Sequence, residues 1–183
     1  MKHIAAIIPM LIVASGVFAA DFQLSSSELT ANKTMSARQE FNGFGCSGEN
    51  RSPQLTWKNP PAGTKSFAIT VYDPDAPTGS GWWHWSVVNI PAELRSLDSG
   101  SVPSGALETR TDYGTSGYGG ACPPLGDKQH RYIHTVWALD ISQLPVDANA
   151  SGALVGYLLN QHQLAKAQLI TTYQRPKAAK LLD

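Results

Sequence analysis

The stretch VYDPDAPTGSGWWHWSVVN, residues 71–89, decides how the rest of the chain is read. It opens on the end of an apolar, β-branched run, Phe67 to Tyr72, which reads as a buried central strand. Asp73-Pro74-Asp75-Ala76-Pro77 follows at once. Proline ends the strand and fixes the backbone, so two carboxylates emerge at a strand end with little freedom. Such carboxylates either accept hydrogen bonds from their own turn or face a ligand. After a glycine-rich turn, residues 82–90 read as the next strand. Period-two alternation places Trp82, His84, Ser86 and Val88 on one face and Trp83, Trp85 and Val87 on the other. A histidine in such a strand is either a core residue or a ligand-facing one.

Working outward, glycine and proline punctuate the chain every ten to fifteen residues, as in a fold of many short strands. Arg131 to Asp140 and Leu164 to Tyr173 read as two more strands. The segment from Asp147 to His162 differs. Leu154, Val155, Leu158 and Leu159 recur at helical spacing, and Asp147 or Asn149 is placed to cap a helix. The region from Asp98 to Pro124 reads as a long Gly/Ser/Pro loop. Loops of that length in compact domains are usually functional or tied down. The fold class is therefore mainly β, a sandwich or barrel with one late helix.

The chain has 183 residues, which suits one domain of ~100–200 residues. Hydrophobic residues make up 42% and charged residues 15%, a globular composition. The formal net charge of zero gives no bulk attraction to nucleic acid or an anionic membrane. Residues 1–19 carry a basic Lys2, an apolar run from Ile4 to Val13 and small residues at their end, the pattern of a cleaved signal peptide. Val17 and Ala19 at positions −3 and −1 favour cleavage after Ala19. The run is short for a membrane anchor, which needs about 20 apolar residues. The expected organisation is a leader at 1–19, one domain at 20–175 and a frayed tail at 176–183, with the mature protein in the periplasm or secreted. Export changes the reading of the two cysteines, Cys46 and Cys122. In an oxidising compartment a lone pair suggests one disulfide, against the alternative of two buried thiols.

A third segment bears on function. Asp127 to Tyr132 starts the strand that carries His130, Tyr132 and His134 on one face, and a Gly119-to-Gly126 loop rich in glycine and proline feeds it. Arg131 alternates to the other face, where an acidic residue such as Asp112 would pair with it, and His134 reads as core. Together, Asp73-Pro74-Asp75-Ala76-Pro77, His84-Trp85 with Val87-Val88-Asn89, and Pro123-Pro124 with Gly126 and His130-Arg131-Tyr132 resemble the phosphatidylethanolamine-binding protein family, also called the Raf kinase inhibitor protein family. Gly45-Cys46, Gly48-Glu49-Asn50 and Ser52-Pro53 resemble its bacterial and archaeal branch. The likeness runs from about Phe22 to Tyr173.

The resemblance implies an antiparallel β-sandwich with few helices and a compact pocket for a small phosphoryl or other anionic ligand, such as a phosphoethanolamine head group. Carried over by motif, Asp73, Asp75, His84, Gly120, Pro124, His130 and Tyr132 would bind the ligand. Backbone amides near Gly120 to Pro124 would donate to it. Trp82, Trp83 and Trp85 would form a rim able to face an ethanolamine cation. Bare aspartates repel an anion, so one must be protonated or must hold a histidine as donor, with Asp75 on His84 or His130 the expected pairing. Affinity would then weaken as pH rises through the histidine range. The chain departs from mammalian members in ending on a strand-like segment rather than a covering helix. Family members are reported as kinase or protease inhibitors. For an exported chain a protease or host protein is the better-fitting partner than a cytosolic kinase. The expected function is thus non-catalytic binding without a cofactor. The alternative is a metal-dependent phosphoester hydrolase built on the Asp/His cluster, although the sequence has no HExxH-like metal spacing and no GxSxG nucleophile.

Overall fold

In the computed structural model, which describes residues 20–175 and 177, ten strands and one α-helix follow in the order β1 (Gln23–Ser25), β2 (Asn42–Gly43), β3 (Cys46–Ser47), β4 (Leu55–Lys58), β5 (Ser66–Asp73), β6 (Trp82–Pro91), β7 (Ser96–Leu97), β8 (Leu107–Glu108), β9 (His130–Leu139), α1 (Gly152–His162) and β10 (Gln163–Tyr173). The expected leader, and the expected frayed tail apart from Lys177, lie outside the described residues. The three long apolar runs form the centre of a five-stranded sheet in the order β10-β9-β5-β6-β8. A three-stranded sheet, β1-β4-β7, and a short β2–β3 hairpin complete the strands, all paired antiparallel.

Alternation explains the layering. Leu55 and Trp57 of β4 point inward while Thr56 and Lys58 turn away, giving the small sheet one apolar face. That face closes on Phe67, Ile69, Val71, Trp85, Val87, Tyr132 and Val136 of the large sheet. The other face of the large sheet, with Ala68, Val88, Trp137 and Leu139, is covered by Val155 and Leu159 of α1. The main core therefore lies between two sheets, and the helix adds a third layer. α1 is capped by Ser151, whose Oγ accepts from the Leu154 amide, and not by Asp147 or Asn149. Those two are spent on a turn in which the Asn149 amide donates to Asp147 Oδ1.

Two irregularities in β6 set what reaches the site. Asn89 adopts φ 61°, a conformation asparagine tolerates, and accepts from the Leu144 amide. The register shift there keeps Ile90 on the core side. The second shift falls at His84, which has no partner on β5: Val71 pairs with Trp85 and Tyr72 with Trp83. A bulge turns two successive side chains to one side. His84 and Trp85 accordingly both face the main core, where His84 meets Tyr132 with ring centroids 5.1 Å apart. The region from 98 to 124 is less of a loop than its composition suggests. β8 pairs with β6, and the chain then follows the same edge, with Thr109 and Asp112 amides donating to the carbonyls of Ser86 and Trp83.

A disulfide joins Cys46 and Cys122. It ties the β2–β3 hairpin to the segment that leads into β9.

Candidate functional site

Asp73 ends β5 and is almost wholly buried, at 2% exposure. Its Oδ1 accepts from the amides of Asp75 and Ala76 at 2.7 and 3.0 Å, so it makes the turn. Its Oδ2 lies 2.7 Å from His130 Nδ1. The two readings of this aspartate are therefore not alternatives: one oxygen builds the turn and the other reaches across to β9. His130 Nε2 lies 3.2 Å from Asp127 Oδ2. An ionised carboxylate only accepts, so His130 bonds both only with a hydrogen on each ring nitrogen.

Asp75 faces away from this pair. Its Oδ2 accepts from the Arg131 amide and Nε at 3.0 and 2.8 Å, and its Oδ1 from the guanidinium at 3.0 Å. Arg131, with burial opposing and Lys128 assisting, holds the Asp75 carboxyl well below the usual carboxylate range. Alternation along β9 is the reason: His130 points inward to Asp73, and Arg131 points outward to Asp75. This corrects two expectations. Asp75 holds neither histidine, and Arg131 does not pair with Asp112, which accepts from the Trp83 amide at 2.7 Å.

Beside the Asp73–His130 pair lies a cavity of about 190 Å³. Of the expected residues, Asp73, His84, Pro124, His130, Tyr132 and Trp82 line it, together with Phe44, Ala76, Pro77, Thr78, Tyr113, Cys122 and Pro123. Trp83 and Trp85 do not, which corrects the expected three-indole rim. Trp83 turns to the opposite face, against Tyr72 and over Gly152 of α1. Trp85 is fully buried in the core and donates to Glu108 at 2.7 Å. Gly120 is also not a lining residue. Its amide donates to Asn50 Oδ1 at 2.7 Å, and the Ala121 amide donates to the Gln39 carbonyl, so neither faces a ligand. Gly120 acts through its carbonyl, which accepts from the Tyr113 hydroxyl at 2.8 Å and faces His84 Nδ1 at 3.1 Å.

The sequence reading missed Phe44 and Tyr113. Tyr113 stacks on Phe41 at 4.1 Å between centroids and meets Trp82 edge-on at 5.4 Å. Phe44, held at φ 51° in the β2–β3 turn, is 72% exposed beside them. Both stand in irregular backbone, where periodicity carries no signal. Trp82, Tyr113 and Phe44, rather than three consecutive-strand tryptophans, supply the aromatic mouth.

Three polar atoms on lining residues are buried and have no hydrogen-bond partner among the described residues: Trp82 Nε1, His84 Nε2 and Tyr132 OH. Buried polar groups are nearly always satisfied, and an exception calls for an explanation. Burial keeps His84 neutral more readily than usual, lowering its pKa against the pull of Gly119, Asp73, Gly120 and Asp112. Burial also pushes the Tyr132 hydroxyl up, so it stays protonated. Among the described residues no group of three or more His, Cys, Asp or Glu is arranged to hold a metal ion. The arrangement is suited to holding a small polar group at the base of an aromatic-walled cavity.

Comparison with known proteins gives one consistent result. The family model for phosphatidylethanolamine-binding protein matches residues 25–174. UPF0098 protein YbcL of Escherichia coli is 53% identical over 163 residues, covering 85% of this chain and 89% of the relative. UPF0098 protein YbhB of the same organism is 52% identical over 157 residues, covering 82% and 99%. The crystal structure of E. coli YbcL, described as a new member of the mammalian PEBP family, superposes with a TM-score of 0.83 at 52% identity, covering 85% of this chain and 99% of that one.

Proposed function

The chain belongs to the phosphatidylethanolamine-binding protein family, and from that premise we propose that it is an exported, non-catalytic binding protein for a small phosphoryl or other anionic ligand. The observation that carries the reading is the set of unpaired buried atoms on Trp82, His84 and Tyr132 around one cavity. A phosphoryl group offers several oxygens within a small radius, acceptors for Trp82 Nε1–H and the Tyr132 hydroxyl and, where one carries a proton, a donor for His84 Nε2. Asp73 is compatible with such a ligand because its charge is met by His130 and two backbone amides. Aromatic faces at the mouth would take an ethanolamine-like cation. Asp75 contributes from outside the cavity by fixing Arg131 and the start of β9. Gly120 contributes by orienting His84 and Tyr113.

The disulfide and the leader-like residues 1–19 support export to the periplasm or beyond. Phe44 and Leu125, exposed at 72% and 59%, stand at and next to the cavity wall and are where a partner protein such as a protease or host protein would be met.

Isothermal titration with O-phosphorylethanolamine and inorganic phosphate at pH 6 tests the ligand reading. Saturable one-to-one binding, weakened at least about tenfold in His84→Ala by loss of a buried polar partner, is expected. Heat signals that are absent, or unchanged in His84→Ala, would refute it. Native mass spectrometry of protein taken from its own compartment would show whether a ligand is retained.

A further inference from the structure

We propose that the cavity selects the protonated form of a tetrahedral oxyacid, a phosphate or phosphate monoester still carrying a P–OH, and that His84 is the residue that reads that proton. The inference rests on the anion-pocket reading above and adds the ionisation state of the ligand.

The tautomer of His84 follows from its neighbours. Its Nδ1 lies 2.8 Å from the Gly119 carbonyl oxygen and 3.1 Å from that of Gly120. A carbonyl oxygen only accepts, so Nδ1 carries the hydrogen. In the neutral ring Nε2 is then a lone pair, and this is the buried, unpartnered atom beside the cavity. A second proton would place a cation in a buried site. The groups facing the ring are Asp73 from β5, Asp112 and Tyr113 from the segment along β6, and Tyr132, His130 and His134 from β9. Of the two carboxylates, Asp73 already bonds His130 and Asp112 already bonds the Trp83 amide. Burial outweighs their pull on the ring.

The other two unpaired atoms have the opposite character. Trp82 Nε1–H can only donate, and Tyr132 keeps its hydroxyl hydrogen. The pattern is one group that only donates (Trp82), one hydroxyl that can donate or accept (Tyr132) and one group that only accepts (His84), with no Lys or Arg among the lining residues. A ligand that matches it brings acceptors and one donor. A hydrogen phosphate does so: the P–OH donates to His84 Nε2, and other oxygens accept from Trp82 and Tyr132. A fully deprotonated monoester, sulfate or a lipid phosphodiester brings only acceptors at the phosphoryl group. One of their oxygens would meet the His84 lone pair and leave it unsatisfied, which is how a hydrogen-bonding site rejects an analogue.

Four probes at two pH values separate the alternatives by calorimetry: inorganic phosphate, O-phosphorylethanolamine, sulfate and dimethyl phosphate, at pH 5.5 and pH 8. Inorganic phosphate keeps a P–OH at both, and its affinity is expected to change only a few-fold. The monoester loses its last proton near pH 6, so its affinity should fall roughly a hundredfold by pH 8. Sulfate and dimethyl phosphate should bind at least about tenfold more weakly than phosphate at either pH. In His84→Gln, whose amide can donate as well as accept, the preference for phosphate over sulfate should shrink. Sulfate binding as well as phosphate at pH 5.5, or affinity for phosphate and monoester falling together with pH, would overturn the proposal, since the proton would then sit on the protein. Tighter binding of the diester than the monoester at pH 5.5 would overturn it in favour of an intact lipid head group. If no probe binds at either pH, the anion-pocket reading itself fails, and this inference with it.

Discussion

At the Tyr132 hydroxyl, stability and binding pull in opposite directions. The oxygen is buried and unpartnered, an arrangement that costs the free protein the desolvation of a hydroxyl. Tyr132→Phe should therefore leave the unfolding free energy unchanged or raise it by about 1 kcal/mol, while phosphate affinity falls about tenfold. A clear loss of stability in a denaturant titration would mean the hydroxyl is bonded in the folded protein. Asp75 behaves otherwise, because it serves structure outside the cavity. Its carboxyl is held low by Arg131, so the folded state favours the ionised form. That contribution is present above the ordinary carboxylate pKa of about 4 and is lost as pH falls further, through the lowered value. Asp75→Asn should lower Tm by about 2–4 °C at pH 7 and by the same amount at pH 5. The gap to the wild type should narrow progressively as pH falls below 4. A gap that stays undiminished from pH 4 to pH 2 would show that the ion pair is not its cause.

At the scale of elements, α1 is seated by a contact between its first residue and a tryptophan of β6. A Cβ on Gly152 would lie 2.2 Å from Trp83 Cγ, whereas one on Gly156 would lie 3.3 Å from the far edge of the same indole. Gly152→Ala should cost about 1–3 kcal/mol by overpacking. Gly156→Ala should be near neutral, because better helix propensity, worth up to about 1 kcal/mol, offsets the tighter contact. Equal effects in urea unfolding would remove Trp83 as the anchor. The same tryptophan shows where sequence reading stops. The runs that form β5, β6, β9 and β10 were legible because β-branched and aromatic residues crowd them, and the late helix because its leucines recur at helical spacing. The bulge at His84 was not. Trp82, Trp83 and Trp85 are all aromatic, so no polar–apolar contrast marks the phase of β6 on either side of the slip. Trp83 lies opposite His84 with or without the slip, whereas Trp85 is turned by it to the His84 side and is buried in the main core. Asp73, His130 and Tyr132 came from regular strand ends and meet at one cavity. Phe44 and Tyr113 reach it only through contacts between loops far apart in sequence, which local pattern does not encode.

Across the whole molecule, two features set the conditions under which the site persists. His84 and His134 are buried, and burial lowers both pKa values, His134 to about 3. The unfolded chain binds protons at these histidines below about pH 6.5 and the folded chain does not, so stability falls as pH drops through that range. Both groups steepen the fall of stability on acidification below about pH 6.5, and His134→Gln should flatten it. The disulfide acts on the unfolded state instead. Cys46 and Cys122 are 76 residues apart, and closing a loop of that size restricts the unfolded chain by about 4 kcal/mol at most. The bond also joins two parts of the cavity wall, since Phe44 precedes Cys46 in its turn and Cys122 itself lines the cavity. It is not the sole tie between them. Arg175 donates to the Gly45 carbonyl at 2.7 Å and the Pro123 carbonyl at 3.3 Å, and the Phe41–Tyr113 stack holds the hairpin from the other side. Cys46→Ser with Cys122→Ser should therefore lower unfolding stability by up to about 4 kcal/mol, yet weaken phosphate binding only several-fold at 20 °C. Adding Arg175→Ala should remove a second tie and bring a further loss of affinity. Complete loss of binding in the double serine variant, with the fold intact by circular dichroism, would instead make the bond itself the device that positions Phe44 over the cavity.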